Sequence, residues 1–346
     1  MRYSISIYQG NGLYANHAIR LSPSYQSHWA VIYLRAVTFI GRQGLAGIRY
    51  PVYRKDKTPA ALIRPILKWA GGKRQLIPAI MPMIPSNFEN YIEPFAGGCA
   101  LLVELYNHGR IRHAIISDIN GELINLYKVI KDSPEKLIDE IAGLPFRNSS
   151  ISYYSARERY NGILGLGDSM IERAALFLYF NRHGYNGLWR VNASGKFNVP
   201  FGRYRNPAMP DPDHIMAFSG MLSIVDIYNC DFAETCSKAS NGDLVYLDPP
   251  YFPINSTSSF TAYSSGGFPF SEQTRLRDEC VEIGKKGARI IFNNSWSPEI
   301  SSLYSGFYTV KIPTSRIINS NARKRSGYFD LLGSNFTPSG NESQEQ

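Results

Sequence analysis

The tetrapeptide Asp248-Pro249-Pro250-Tyr251 follows Asp243 to Leu247, a run that is apolar from Leu244 onward. Two successive prolines hold the chain extended and remove two backbone donors, which leaves carbonyl oxygens to accept. An aspartate carboxylate beside such a carbonyl makes two acceptors for the two hydrogens of an exocyclic amine. The Tyr251 ring adds a stacking face. The plainer reading is a rigid loop that closes a strand.

A second group is Glu93-Pro94-Phe95-Ala96-Gly97-Gly98, where an apolar run ends in two glycines before a helical pattern. Such a turn gives a ligand access to the backbone at the switch point of an open sheet. It is not the dinucleotide fingerprint, and a turn that merely packs a helix on a strand would look the same. The next apolar run, however, ends in Asp118-Ile119-Asn120, which places an acid where ribose hydroxyls are bound. Glu93, Phe95, Gly97, Asp118 and Ile119 are thus candidate contacts to an adenosine-containing cofactor. Upstream, Leu67-Lys68-Trp69-Ala70-Gly71-Gly72-Lys73 reads either as a cap over a charged small molecule or as a tight turn with a packed indole.

These groups need strands whose carboxyl ends meet. Asn90 to Phe95, His113 to Ser117, Asp243 to Leu247 and Ala288 to Phe292 are short apolar runs bounded by turn residues, the pattern of buried parallel strands. Helical patterns lie between them, at Ala100 to His108 and at Ser271 to Lys286, the latter opening on a capping serine and closing at Gly287. Alternation of this kind predicts an α/β, mostly parallel, doubly wound Rossmann-like sheet. Residues 126–220 break the rhythm. They carry helical patterns at Pro134 to Ile141, Ser152 to Asn161 and Ser169 to Phe180, then a loop, Asn181 to Tyr204, rich in Gly, Asn, Arg and aromatics. This predicts a mainly helical insertion, so that 61–125 and 221–335 form one domain, 126–220 a second, and 336–346 a polar tail.

The chain has 346 residues, 44% of them hydrophobic and 13% aromatic, enough for a large core. No stretch approaches the roughly 20 apolar residues of a membrane span. Cys99, Cys230, Cys236 and Cys280 include no CxxC pair and no histidine completes a zinc site, so each is expected to be a buried thiol in a reducing compartment. The net charge of +9 is concentrated: residues 1–55 hold seven basic residues and no acid, leaving 30 basic against 28 acidic residues in the rest. Residues 1–60 show no sustained period and are expected to be a disordered leader. They read as a stretch translated upstream of the working start, with a transit peptide or a basic DNA-binding arm as alternatives.

Taken together, LKWAGGK, YIEPFAGG, DIN, NRHGYNGLWRVN with GKFNVPFGRY, and DLVYLDPPY resemble the Dam family of DNA N6-adenine methyltransferases, in that family's order, over about residues 65–333. The resemblance implies a class I methyltransferase fold with an inserted target-recognition domain at 126–220, S-adenosylmethionine as methyl donor, and no metal. It puts Trp69, Lys73, Asp118 and Asp248 at cofactor positions and matches Asp231-Phe232 to the segment that holds the cofactor's adenine. Asp248, Pro249, Pro250 and Tyr251 become the catalytic motif, acting on the amine of an adenine flipped out of duplex DNA, with GATC as the expected target. Tyr185, Asn186, Leu188 and Arg190 fall on the family's major-groove loop, which also carries Asn192, Pro200 and Tyr204. Lys68 and Arg205 match flanking DNA-contact positions. Arg190 and Asn192 can alternatively serve only to brace their own loop. Residues 252–270 read as a mobile wall beside the base or as a plain disordered loop.

Three departures from the family pattern stand out: Cys99 in place of a third glycine, Trp189 in place of a smaller residue, and Asn293-Asn294-Ser295-Trp296 at a strand end. Methylation of cytosine N4, and a DNA-binding module that keeps the cofactor without turnover, remain alternatives at this point. A cytoplasmic monomer of bacterial or phage type is expected, with a cognate restriction endonuclease as a candidate partner.

Overall fold

The computed structural model describes residues 2–8, 13–20, 62–69, 76–252, 268–314 and 328–338. The chain divides into two units, residues 1–60 and 61–346. In the first, β1 (Arg2–Tyr8) and β2 (Leu13–Arg20) pair antiparallel, with Arg2 opposite Arg20 and Tyr8 opposite Leu13. This corrects the expectation of no regular structure over that stretch. Tyr3, Ile5 and Ile7 alternate with Ser4 and Ser6, a period of two too short to register across the leader as a whole.

The second unit opens with a short helix, α1 (Ile77–Ile80), and is built on a seven-stranded sheet. Its strands are β3 (Tyr91–Glu93), β4 (Ala114–Ser117), β5 (Val225–Tyr228), β6 (Leu244–Leu247), β7 (Arg289–Ser295), β8 (Tyr308–Thr314) and β9 (Tyr328–Ser334). Their spatial order is β5-β4-β3-β6-β7-β9-β8. The first five are parallel, and β9 runs antiparallel to both β7 and β8. The chain winds outward from β3 through β4 to β5 on one side and from β6 to β7 on the other. The switch therefore lies between β3 and β6, and an open sheet has its crevice at the carboxyl ends of such strands.

Both faces of this sheet are covered, which is why its central strands read as unbroken apolar runs. Tyr91, Ala114, Ile116, Leu244, Tyr246, Ile291 and Leu332 point into one core, while Ile92, Val245, Leu247, Ile290, Phe292 and Leu331 point into the other. The second face is closed by α8 (Phe232–Cys236), α9 (Phe270–Lys285) and α10 (Pro298–Leu303), through Phe232, Cys236, Leu276, Cys280, Ile283 and Ile300. On α9 the expected serine cap is absent: Pro269 stands at the N-cap without a side-chain bond and the helix starts at Phe270.

The first face carries α2 (Ala100–Asn107), α3 (Gly121–Asp132), α4 (Pro134–Gly143), α5 (Ser150–Gly162), α6 (Met170–His183) and α7 (Pro212–Leu222). Helix α6 is buried from Ala174 to Asn181, so it is the central helix of the region after residue 126. The expected borders at 126 and 220 fall inside α3 and α7, and both helices pack on the same core as the sheet. All four cysteines are free; Cys99, Cys236 and Cys280 are buried as expected, whereas Cys230 is only half-buried. No helix among the described residues is long and apolar enough to cross a membrane.

Candidate active site

The glycine turn after β3 is shaped by what packs on it. Gly97 has φ 44°, and a Cβ placed there would stand 2.9 Å from Cδ1 and Nε1 of Trp69. The Tyr127 hydroxyl donates to the Gly97 carbonyl at 2.6 Å and locks the turn from below. Cys99 takes φ 52°, a left-handed conformation that favours glycine, which accounts physically for the third glycine expected there from the family resemblance. Asp118, at the tip of β4, accepts from Gly97 N (3.1 Å) and Asn120 N (2.9 Å) and so ties turn and strand end together. Burial raises its pKa, and the backbone donors oppose that shift. Next to it Ile119 is 66% exposed, an apolar side chain held out at the crevice.

Glu93 is buried, and its pKa is pushed well up, first by desolvation and further by the neighbouring charges of Asp248 and Asp118. Glu93 on β3 thus lies within electrostatic reach of the carboxyls that directly follow β4 and β6. On the far side, the rings of Phe95 and Phe232 stack at 5.3 Å, and Phe268 meets both at 5.8 Å. Asp231 caps α8 through Ala233 N and receives both Nη atoms of Arg275, at 2.7 and 2.8 Å. The Arg275 guanidinium also lies 4.0 Å from the Phe232 ring centroid.

The Asp248-Pro249-Pro250-Tyr251 motif is held by amides that the sequence reading did not pick out. Asn293 donates through Nδ2 to Asp248 Oδ1 (2.9 Å) and to the Tyr251 hydroxyl (3.3 Å), and its Oδ1 accepts from Tyr246 (2.6 Å). Tyr251 in turn donates to Asp330 Oδ2 at 2.8 Å. Gln273 donates to the Pro250 carbonyl at 3.2 Å and accepts from Asn294 at 2.7 Å. Two adjacent asparagines ending the apolar run before Trp296 were the one visible signal for this arrangement.

The loop after α6 is braced from outside. Asn181 exchanges two hydrogen bonds with the Lys68 backbone, at 2.9 and 2.7 Å, and a third reaches the Gly187 carbonyl. Gly187, with φ 64°, leaves only 2.9 Å between its missing Cβ and the Cβ of Lys68. The Lys68 ammonium lies over the Tyr204 ring at 5.0 Å, while the Tyr204 hydroxyl accepts from Asn186 N. Tyr185 and Asn186 are exposed at the tip, Leu188 packs partly on the core, and Pro200 accepts from Tyr185 N. Arg190 bonds Asn198 through Nε (2.7 Å) and Nη2 (3.3 Å), and Asn192 Oδ1 accepts from Ser194 N and Lys196 N. Both side chains therefore brace their own loop, whatever else they do. Trp189 stacks on Phe177 at 4.0 Å and is a core residue. Arg205 is exposed. Lys73 and residues 253–267 lie outside the described residues, as do residues 21–60 of the leader.

The family profile described as D12 class N6 adenine-specific DNA methyltransferase matches residues 69–318. The chain belongs to the D12 class of adenine-specific DNA methyltransferases. It is 39% identical over 278 residues to the type II methyltransferase M1.LlaDCHI of Lactococcus lactis subsp. cremoris, covering 79% of this chain and 96% of the relative. It is 38% identical to the type II methyltransferase M.MjaIII of Methanocaldococcus jannaschii, over 79% of this chain and 99% of that one. It is 33% identical to the DNA adenine methylase of Escherichia coli K12, over 78% and 94%. As a D12 methyltransferase the enzyme acts on adenine N6 in DNA, which removes cytosine N4 and a catalytically silent module from consideration.

Proposed function

We propose that this D12 enzyme takes its methyl group from S-adenosylmethionine and delivers it to N6 of an adenine flipped out of duplex DNA, within GATC. The observation that carries the reading is the crevice at the ends of β3, β4 and β6, where Asp248 is held by Asn293 beside Glu93 and Asp118.

The donor set fits this cofactor. Asp118 keeps acceptor capacity beyond its backbone donors and faces the place of a ribose, while exposed Ile119 and the Phe95–Phe232 pair offer apolar faces to an adenine. Trp69, Gly97, Glu93 and Asp231 complete the cofactor wall, with Lys73 as a further contact. Asp231 acts there while clasped by Arg275. When bound, S-adenosylmethionine supplies an electrophilic methyl group. The protein does the rest by position.

Adenine N6 is a weak nucleophile because its lone pair is delocalised into the ring. Asp248 accepts one N6 hydrogen. The second goes to a carbonyl of the Pro249-Pro250 pair, of which that of Pro250 already accepts from Gln273. Drawing both hydrogens toward fixed acceptors stabilises the charge that develops on nitrogen, an electrostatic rather than a covalent contribution. Tyr251, its hydroxyl tied to Asp330, presents its ring to the base, and stacking offsets an unpairing cost of a few kcal/mol.

Residues 126–220 read the target. Tyr185, Asn186 and Leu188 sit on a loop that Lys68, Asn181 and Tyr204 hold in shape, and Arg190 retains guanidinium donors for a guanine edge. Asn192 and Pro200 shape the loop's base; Arg205 and Lys68 supply charge for phosphates. The type II names of two relatives support a cognate endonuclease as partner.

The test is methylation of a plasmid with labelled S-adenosylmethionine, digestion to nucleosides, and challenge with an endonuclease blocked by methylated GATC. N6-methyladenine with protection is the expected result. N6-methyladenine with full cutting overturns the target alone; no transfer from this donor overturns the cofactor.

A further inference from the structure

Asn293 is fully buried on β7, and three side chains of the catalytic end of the sheet converge on its one amide: Tyr246, Asp248 and Tyr251. The orientation of that amide is forced. An ionised carboxylate only accepts, so the NH2 must face Asp248, and the carbonyl is left to take the Tyr246 hydroxyl at 2.6 Å. The backbone of Asn293 is in turn fixed in register opposite Leu332 of β9. Its neighbour Asn294 reaches Gln273 and through it the Pro250 carbonyl, so both ends of the motif are gripped from β7. A serine at position 293 would be too short to span Tyr246 and Asp248 together.

We propose that Asn293 is a positioning residue for methyl transfer: by holding Asp248 Oδ1 it fixes the plane in which the carboxylate meets the amine. The inference rests on the assignment of Asp248 as the amine's acceptor.

Asn293→Asp exchanges one NH2 for oxygen, keeps the acceptor for Tyr246, and puts a second carboxyl against Asp248. Asn293→Ser removes the reach without adding charge. Among the described residues, Glu93 of β3, Tyr246 of β6 and Tyr251 of its own loop face Asp248, and Asp330 of β9 stands behind Tyr251. None of them is altered in either variant.

The measurement is the single-turnover methyl-transfer rate across pH at saturating DNA and S-adenosylmethionine, with affinities for both and the melting temperature recorded alongside. Asn293→Asp is expected to lower the plateau rate by about tenfold or more and to move the acid limb to higher pH, since a like charge disfavours ionised Asp248. Affinities for DNA and cofactor stay within about twofold. Asn293→Ser lowers the rate and moves the limb less. If the Asp variant fails to fold, the Ser variant decides by the same readings. A loss uniform over pH with the limb in place assigns Asn293 a packing role only and overturns the proposal, as does a wild-type rate in either folded variant. Asp248→Ala is run in parallel. If it keeps more than about a tenth of turnover the Asp248 assignment fails first; if it is inactive while both Asn293 variants match wild type, only the positioning role fails.

Discussion

The indole of Trp69 crowds Gly97, with Cδ1 and Nε1 each 2.9 Å from where a Cβ would stand, so that no side chain fits at position 97 without moving the ring. Gly97→Ala meets two penalties together: a left-handed backbone that costs an L-residue roughly 1–2 kcal/mol and the displacement of Trp69. The variant is expected to melt lower and to bind S-adenosylmethionine more weakly, with a shifted tryptophan emission. Calorimetry and fluorescence titration check both; an unchanged cofactor affinity would separate the turn from the cofactor wall.

Asp248→Ala should remove methyl transfer while DNA binding persists, because an acceptor for the amine is lost and the phosphate contacts are not. The assay uses saturating cofactor, since the same carboxylate adjoins the cofactor crevice. It also leaves the Asn293 amide facing an empty place, so a small fall in melting temperature should accompany the loss.

Arg190→Ala should cost about 1 to 3 kcal/mol in target binding and relax discrimination at one guanine. Because Asn198 holds the Arg190 guanidinium, Asn198→Ala is expected to produce a weaker version of the same relaxed specificity. Methylation of a plasmid with many adenine contexts, read by sequencing, gives both outcomes. Unchanged specificity in Arg190→Ala would assign the residue to its own loop.

The Arg275 guanidinium, bonded to both oxygens of Asp231, holds that carboxyl below its ordinary pKa of 3.8. A depressed value means the pair's stabilisation is complete above the unfolded pKa and fades as pH falls through the folded one. Arg275→Met should bring the Asp231 titration, followed by carboxyl carbon resonance, back up toward 3.8 and flatten the acid-side slope of stability. Both partners are more than a third exposed, so the effect is confined to the acid limb and is weakened by salt.

Removal of residues 1–60 should leave methyl transfer intact, since residues 61–346 form a separate unit with both of the cores described. A soluble but inactive truncation would give the leader a part in the chemistry. A fall in DNA affinity that vanishes at high salt would make it a basic arm.

What could be read from the sequence divides along physical lines. Strands β3, β4, β6 and β7 were legible because both faces are buried and the runs are apolar without a break. Strand β5 was not: at the edge of the sheet it alternates buried Val225 with exposed Asp226. Strand β8, at the other edge, carries Lys311 and Pro313, and a proline is tolerated only where the ladder has a free side. Within the site, Asp118 and Asp248 were visible because each ends an apolar run. The groups that hold the site were not, since Asn293 lies 45 residues from the Asp248 it bonds and Tyr127 lies 30 from the Gly97 turn it locks, and such contacts exist only once the sheet has closed.

The place of β9 sets an order of assembly. It slots between β7 and β8, so β8 leaves the ribosome before it has a neighbour to pair with, and β7 keeps an open edge until residues 328–334 follow. The same late strand brings Asp330, the anchor of Tyr251. A nascent chain that already displays the complete Asp248-Pro249-Pro250-Tyr251 motif therefore still lacks the tether of its aromatic ring, and a chain cut short before β9 carries an unpaired edge that invites aggregation rather than a weaker enzyme.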